Sequence, residues 1–137
     1  MITRSLLDFV AECQAPATLE EVQTAQAELP VVLPGEYLEL LACSNGLVGN
    51  ATPNVTLYSL ADLPERNLTY EVHQYAPSLL LIGDDGGGRG IFLSSLTSEA
   101  KVVPVVMVGF GAIGVDNPRQ LAPSIELWAK EGFPVPE

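Results

Sequence analysis

The chain has 137 residues, 47% of them hydrophobic, which is the size and composition of one domain with its own core and excludes a disordered chain. Six basic and 17 acidic residues give a net charge of −11, which repels nucleic acid and anionic lipid and attracts basic proteins. No apolar run approaches the roughly 20 residues of a membrane helix, and residues 1–5 do not resemble a signal peptide, so we expect a cytoplasmic protein.

The first half of the chain carries helical patterns. Apolar residues recur at helical spacing over residues 3–14, and Pro16 stops this pattern. A second helix begins at Thr18, because Thr18 and Glu21 have the spacing of a capping box, in which each side chain bonds to the other residue's backbone N–H. We expect its inner face to carry Leu19, Val22 and Ala25, with Glu20, Glu21 and Glu28 towards solvent.

A third helix is predicted over residues 34–44. Pro34 suits its first turn, where a missing N–H has no partner to lose, and Glu36 lies near the positive end of the helix. Asn45 and Gly46 follow, and we expect one of them to adopt a positive φ where the helix ends.

The second half has the patterns of strands and turns, with two further helices. We expect strands at residues 55–58, 79–82, 90–94 and 101–108. Pro104 favours an edge or a bulge for the last of these strands. Helices are predicted over residues 64–75 and around Ile125, Trp128 and Ala129, and Trp128 is the expected core anchor of the final helix.

This order of elements predicts the fold class. Helices come first, strands cluster later and one helix closes the chain. We expect a single α+β domain over residues 1–137, in which N-terminal helices and a C-terminal helix pack on a mainly antiparallel sheet.

Two glycine-rich segments need interpretation. Residues 109–114 have the spacing of a dinucleotide-binding turn, but a turn sequence follows where that chemistry needs a helix, so we interpret these glycines as ending a strand. Residues 83–90 lack the features of a phosphate loop or a calcium loop and predict an exposed hairpin turn between paired strands. The alternative is a turn whose Asp84, Asp85 and Arg89 also contact a partner.

No catalytic or metal-binding constellation is evident. His73 is the only histidine, and no nucleophile pattern accompanies it. Cys13 and Cys43 are too few for a disulfide scaffold, and with one histidine they do not supply the four ligands of a zinc site. We expect both cysteines to be buried, reduced thiols, and we expect no enzymatic activity, no metal and no cofactor.

Four segments together resemble the SUKH superfamily, in its cell-wall-regulator-like (Smi/Knr-type) branch. They are residues 33–41 (LPGEYLELL), 44–46 (SNG), 81–88 (LIGDDGGG) and 124–128 (SIELW), and the likeness runs from about residue 17 to residue 133. The resemblance implies an α+β fold with helices packed against an antiparallel sheet. It also implies a non-enzymatic role, since many such bacterial proteins are immunity factors that neutralise a toxin, often a nuclease or deaminase, delivered by a neighbouring cell.

The leading hypothesis is therefore an immunity protein that binds a basic toxin domain, with neither nucleic acid nor a membrane as its partner. Residues 1–65 carry nine acids and one base, which either form a binding face or only keep the protein soluble. We expect the binding surface at Glu36 and Glu39, with Asp84, Asp85 and Arg89 as a rim. The alternative is a regulatory domain that senses a small ligand in a cleft beside residues 83–90. The oligomeric state stays open.

Overall fold

Seven strands form one antiparallel sheet, and six helices pack around it. The computed structural model describes residues 1–137. The strands are β1 (Ala11–Cys13), β2 (Leu47–Gly49), β3 (Thr56–Leu57), β4 (Leu80–Asp84), β5 (Arg89–Leu93), β6 (Val105–Gly109) and β7 (Arg119–Ala122). The helices are α1 (Arg4–Val10), α2 (Leu19–Ala27), α3 (Gly35–Cys43), α4 (Leu63–Thr69), α5 (Val72–Tyr75) and α6 (Ile125–Lys130). The strands follow one another in chain order across the sheet, which confirms the predicted α+β class.

Local sequence signals place the start of α2 and the end of α3. The Thr18 hydroxyl accepts from the Glu21 N–H at 3.1 Å, and the Glu21 carboxylate accepts from the Thr18 N–H at 2.9 Å, so the capping box forms as predicted. Gly46 has a φ of 87° between α3 and β2, as expected for the Asn-Gly pair. A Cβ on Gly46 would lie 2.9 Å from the Leu57 carbonyl oxygen, so the neighbouring backbone also excludes a side chain here.

The first helix is shorter than its periodicity predicts. α1 ends at Val10, and residues 11–13, which the pattern assigns to the helix, form β1 against β2. Pairing with a distant strand overrides the local helical spacing here. The sequence does not indicate β2 or β7, because strands of three and four residues are too short to show an alternating pattern.

Two helical predictions also change in detail. The single helix predicted over residues 64–75 is two helices, because Glu71 lies between α4 and α5 in the left-handed region with a φ of 52°. On α2, Ala25 is buried and Val22 is half-buried, but Leu19 is 72% exposed and does not belong to the inner face.

The three central strands are apolar on both faces, and both faces are covered. Leu80, Ile91 and Met107 face one side of the sheet, and Leu81, Phe92 and Val106 face the other. The first side forms a core of 25 buried residues with α1, α3 and α6, in which Trp128 is fully buried as predicted. The second side forms a core of eight buried residues beneath α5 and the helical turn Phe110–Ala112.

Asn67 continues the hydrogen bonding of β4 beyond the short β3. Its Nδ2 donates to the Leu81 carbonyl and its Oδ1 accepts from the Leu81 N–H, both at 2.9 Å, as a neighbouring strand would. The Nδ2 also donates to the Leu63 carbonyl within α4. Asn67 is only 1% exposed, so this side chain fixes α4 beside the sheet without water.

We predict that Asn67→Ala lowers the free energy of unfolding by about 2–3 kcal/mol, because it leaves the buried N–H and carbonyl of Leu81 without partners. Urea unfolding followed by circular dichroism measures the change. Asn117→Ala, at an exposed position, is the matched control and should change stability by less than about 0.5 kcal/mol. Equal effects of the two substitutions would contradict the assigned role of Asn67.

Candidate protein-binding site

Glu36 lies inside the protein, which corrects the expectation that it contributes to an exposed face. Its side chain belongs to the first turn of α3, and the residue is 8% exposed. Its Oε1 accepts from the N–H of Ile125, the first residue of α6, at 2.6 Å. A carboxylate is a favoured partner for the unpaired N–H groups at a helix N-terminus. Glu36 therefore ties α3 to α6, while Glu39 on the same helix is exposed and makes no ion pair.

The segment predicted as a hairpin turn, residues 83–90, joins β4 to β5, and the turn itself is residues 85–88. Gly86, Gly87 and Gly88 are exposed as expected, but Asp85 is only 8% exposed. Asp85 accepts from the Gly87 N–H at 2.8 Å and from the Arg89 Nε at 2.5 Å. Burial alone raises the pKa of Asp85, but these hydrogen bonds outweigh it and hold the pKa below its usual value. Asp85 and Arg89 thus organise the turn, and their charges compensate each other.

Asp84 lines a separate hollow of about 390 Å³, here called the Asp84 hollow. The Tyr58 hydroxyl donates to the Asp84 Oδ2 at 2.6 Å, and the Arg66 guanidinium lies 5.3 Å from the centre of the Tyr58 ring. Burial, and then the bond to Asp84, raise the pKa of Tyr58 far above its usual value. The structure therefore does not bring Asp84 together with Glu39 in one surface hollow.

A different group of carboxylates does come together. Two adjoining hollows of about 340 and 430 Å³ lie between α2 and residues 60–73, and they share Glu28. Their lining carries the exposed carboxylates Glu20, Glu21, Glu28 and Glu65 and no lysine or arginine. We call the two hollows together the acidic groove. The capping box and Asn67 position its two walls, because they fix the start of α2 and the site of α4.

The carboxylates of the acidic groove are largely uncompensated. Glu21 accepts from the Thr18 N–H and from the Asn45 side chain, both uncharged donors. Glu20, Glu28 and Glu65 make no ion pair, and only three of the 17 acids in the chain do so. The groove therefore presents a concentrated negative potential to solvent.

His73 lines the hollow of about 430 Å³, here called the His73 hollow. Both ring nitrogens are buried and neither has a hydrogen-bond partner. Burial lowers the pKa of His73 below its usual value, because the charged imidazolium loses hydration there. The ring is therefore neutral at neutral pH, and neither nitrogen hydrogen-bonds to a hydroxyl, thiol or carboxylate, as the base of a nucleophilic site would.

The two cysteines are free thiols, but they are only half-buried, which corrects the expectation of full burial. The Cys13 Sγ lies 4.0 Å from the Ala11 carbonyl oxygen, and the Cys43 Sγ lies 3.7 Å from the Ile2 carbonyl oxygen. Partial burial raises the pKa of both thiols, which reduces the fraction of reactive thiolate.

No three histidine, cysteine, aspartate or glutamate side chains are grouped so that they could hold a metal ion. None of the six helices has the length and apolar character that crossing a bilayer requires.

The excess of acidic residues in the first half of the chain is evident from the sequence, but the acidic groove is not. Glu20, Glu21 and Glu28 were expected to face solvent, and they do. Their proximity to Glu65 and His73 depends on where the chain places residues 60–73 relative to α2, for which no sequence signal exists. A run of helical acids alone does not distinguish a groove from a solvated helix face.

Comparison with known families adds independent information. The family model for the SMI1 / KNR4 family (SUKH-1) matches residues 16–131. That range contains every helix except α1, every strand except β1 and all residues that line the acidic groove. No curated protein matches the chain.

We predict that Glu36→Gln lowers the free energy of unfolding by about 1–3 kcal/mol, because a charge-assisted bond to the α6 N-terminus becomes a neutral one in a buried site. Glu39→Gln, three residues along the same helix, is the control and should change stability by less than about 0.5 kcal/mol. Urea unfolding of both variants measures the difference. Equal stability of the two variants would show that the Glu36 bond contributes nothing.

The lowered pKa of His73 predicts a pH dependence of stability. Between the folded-state pKa and the unfolded value of about 6.5, the unfolded chain binds more protons, so stability falls as pH drops below about 6.5. His73→Gln should show a smaller loss of stability between pH 7.5 and 5.5 than the parent protein. Urea unfolding at both pH values tests this, and an unchanged loss in the variant would argue against the burial effect at His73.

Proposed function

The chain belongs to the SMI1 / KNR4 family (SUKH-1), and from this premise we propose that it is a non-enzymatic binding module that neutralises a toxin. The family includes immunity proteins. The toxin domain is basic and of the nuclease or deaminase type, and it is bound as a protein partner in the cytoplasm of a bacterial cell. The observation that carries the proposal is the acidic groove, in which four exposed carboxylates face solvent without any basic side chain in the lining.

The charge of the groove suits a catalytic domain that acts on nucleic acid. Such enzymes carry basic clefts for their phosphate-rich substrate. A protein with unpaired carboxylates on one face is steered towards such a cleft and can block it. Burial of Glu36 and the pairing of Asp85 with Arg89 remove these residues from the candidate surface, while Glu20, Glu28 and Glu65 join it and Glu39 remains exposed.

A second candidate function has one specific observation in its favour. The Asp84 hollow lies beside the hairpin turn, and its Tyr58–Asp84 bond and nearby Arg66 offer hydrogen-bonding groups to a small polar ligand. A regulatory domain that senses such a ligand would use this hollow. Asp84→Asn would then abolish the response, whereas it should leave toxin neutralisation unchanged.

The experiment that tests the first proposal is association kinetics with the product of the adjacent toxin gene, measured at low and high salt. We predict that Glu20→Lys combined with Glu28→Lys slows association about tenfold at low salt, because reversed charges oppose electrostatic steering. Glu99→Lys combined with Asp116→Lys reverses two exposed carboxylates outside the groove and serves as the matched control. It should slow association by less than about twofold.

Two outcomes would contradict the proposal. Salt-independent association, with groove variants that bind and protect cells as the parent does, would exclude the acidic groove as the binding face. A genome without a neighbouring toxin gene, together with no basic protein captured from lysate, would contradict the immunity function and favour ligand sensing.

A further inference from the structure

We infer that Asn45 is a deamidation site controlled by the fold: the folded chain suppresses the reaction, and opening of the contacts that Asn45 makes with Glu21 and Leu60 permits it. Asn45 is the only one of the five asparagines that precedes a glycine. The site does not depend on the proposed function, since the reaction is a covalent change of this chain alone.

The reaction needs only the Asn45–Gly46 pair and water. The amide nitrogen of Gly46 loses its proton and bonds to Asn45 Cγ, the Cγ–Nδ2 bond breaks, and Nδ2 leaves with that proton as ammonia. Water then adds to one of the two carbonyls of the five-membered imide, which leaves aspartate or isoaspartate at position 45. Glycine favours the first step, because no Cβ hinders the approach of its nitrogen.

The fold requires the glycine that makes this pair reactive. Gly46 is buried at a φ of 87°, and a Cβ there would lie 2.9 Å from both the Leu57 carbonyl oxygen and the Ser59 nitrogen. Backbone conformation and close contact therefore both exclude a side chain. The chain carries a labile pair because it must turn at this point from α3 into β2.

Three hydrogen bonds restrain the reacting groups. Asn45 Oδ1 accepts from the Leu60 N–H at 2.8 Å, and Asn45 Nδ2 donates to Glu21 Oε2 at 3.1 Å. The Gly46 N–H donates to the Ser44 carbonyl oxygen at 3.0 Å. With both ends of its side-chain amide held, Asn45 cannot turn freely to present Cγ to the Gly46 nitrogen. The rate of deamidation should therefore follow the population of the locally opened state.

Deamidation would change a wall of the acidic groove. Glu21 and Leu60 both line the hollow of about 340 Å³, and Asn45 bonds to both of them. Aspartate in place of Asn45 keeps an acceptor for the Leu60 N–H but loses the donor to Glu21. Two carboxylates then face each other, and their repulsion weakens the link between α2 and Leu60.

The first experiment compares the folded chain with the chain unfolded in guanidinium chloride, both held at pH 7.5. Mass spectrometry of proteolytic fragments locates each conversion of amide to acid and follows it over time. We expect conversion at Asn45 to be at least about tenfold slower in the folded chain, because only its open state reacts. Equal rates in the two states, or conversion at other asparagines with none at Asn45, would overturn the inference.

A matched pair of variants tests the restraint itself. Glu21→Ala and Thr18→Ala each remove one side of the capping box, but only Glu21→Ala removes the acceptor of Asn45 Nδ2. With circular dichroism verifying that both variants are folded, we expect conversion at Asn45 to be at least about threefold faster in Glu21→Ala. Equal rates in the two variants would show that the bond to Glu21 does not restrain Asn45.

Asn45→Asp supplies the aspartate product directly and tests its effect on the fold. We expect its midpoint of urea unfolding to fall by at least about 0.5 M, because a donor to Glu21 becomes a like charge. Asn50→Asp makes the same change of charge at an exposed position, and its midpoint should move by less than about 0.2 M. Equal midpoints of the two variants would contradict the effect on the groove wall.

Discussion

The need to cover both faces of the three central strands is the constraint on which the rest of the structure depends. β4, β5 and β6 are buried along nearly their whole length, and each face needs an apolar cover of its own. α1, α3 and α6 cover one face, and the Glu36 bond to the α6 N-terminus joins two of these helices. α5 and the turn Phe110–Ala112 cover the other face. α4 leads directly into α5, and the acidic groove lies between α2 and residues 60–73.

The buried carboxylates and the exposed carboxylates of this protein differ in the groups that they bind. Glu36 and Asp85 are buried, and each satisfies backbone N–H groups, so these carboxylates stabilise the fold. The exposed carboxylates of the groove make no ion pair, and their mutual repulsion slightly opposes folding. In the proposed complex, cationic groups of the partner would relieve this repulsion.

Features that depend on neighbouring residues could be predicted from the sequence, and features that depend on distant pairs could not. The capping box at Thr18, the positive φ of Gly46 and the burial of Trp128 follow from a few adjacent residues and are confirmed. The inward orientation of Glu36 depends on Ile125, 89 residues away, and the role of Asn67 depends on Leu81, 14 residues away. For the same reason the acidic half of the chain is evident from the sequence while the groove is not, since the groove brings α2 together with residues 60–73.

Hydrogen exchange measured on the protein with and without the proposed toxin partner tests most directly whether the acidic groove is the binding surface. Backbone amides exchange more slowly where a partner excludes water and opposes local opening. The groove predicts slower exchange in α2, α4 and α5 on binding, with β7 and α6 unchanged. Slower exchange confined to β7 and α6, or to the hairpin at residues 83–90, would place the partner elsewhere and contradict the account.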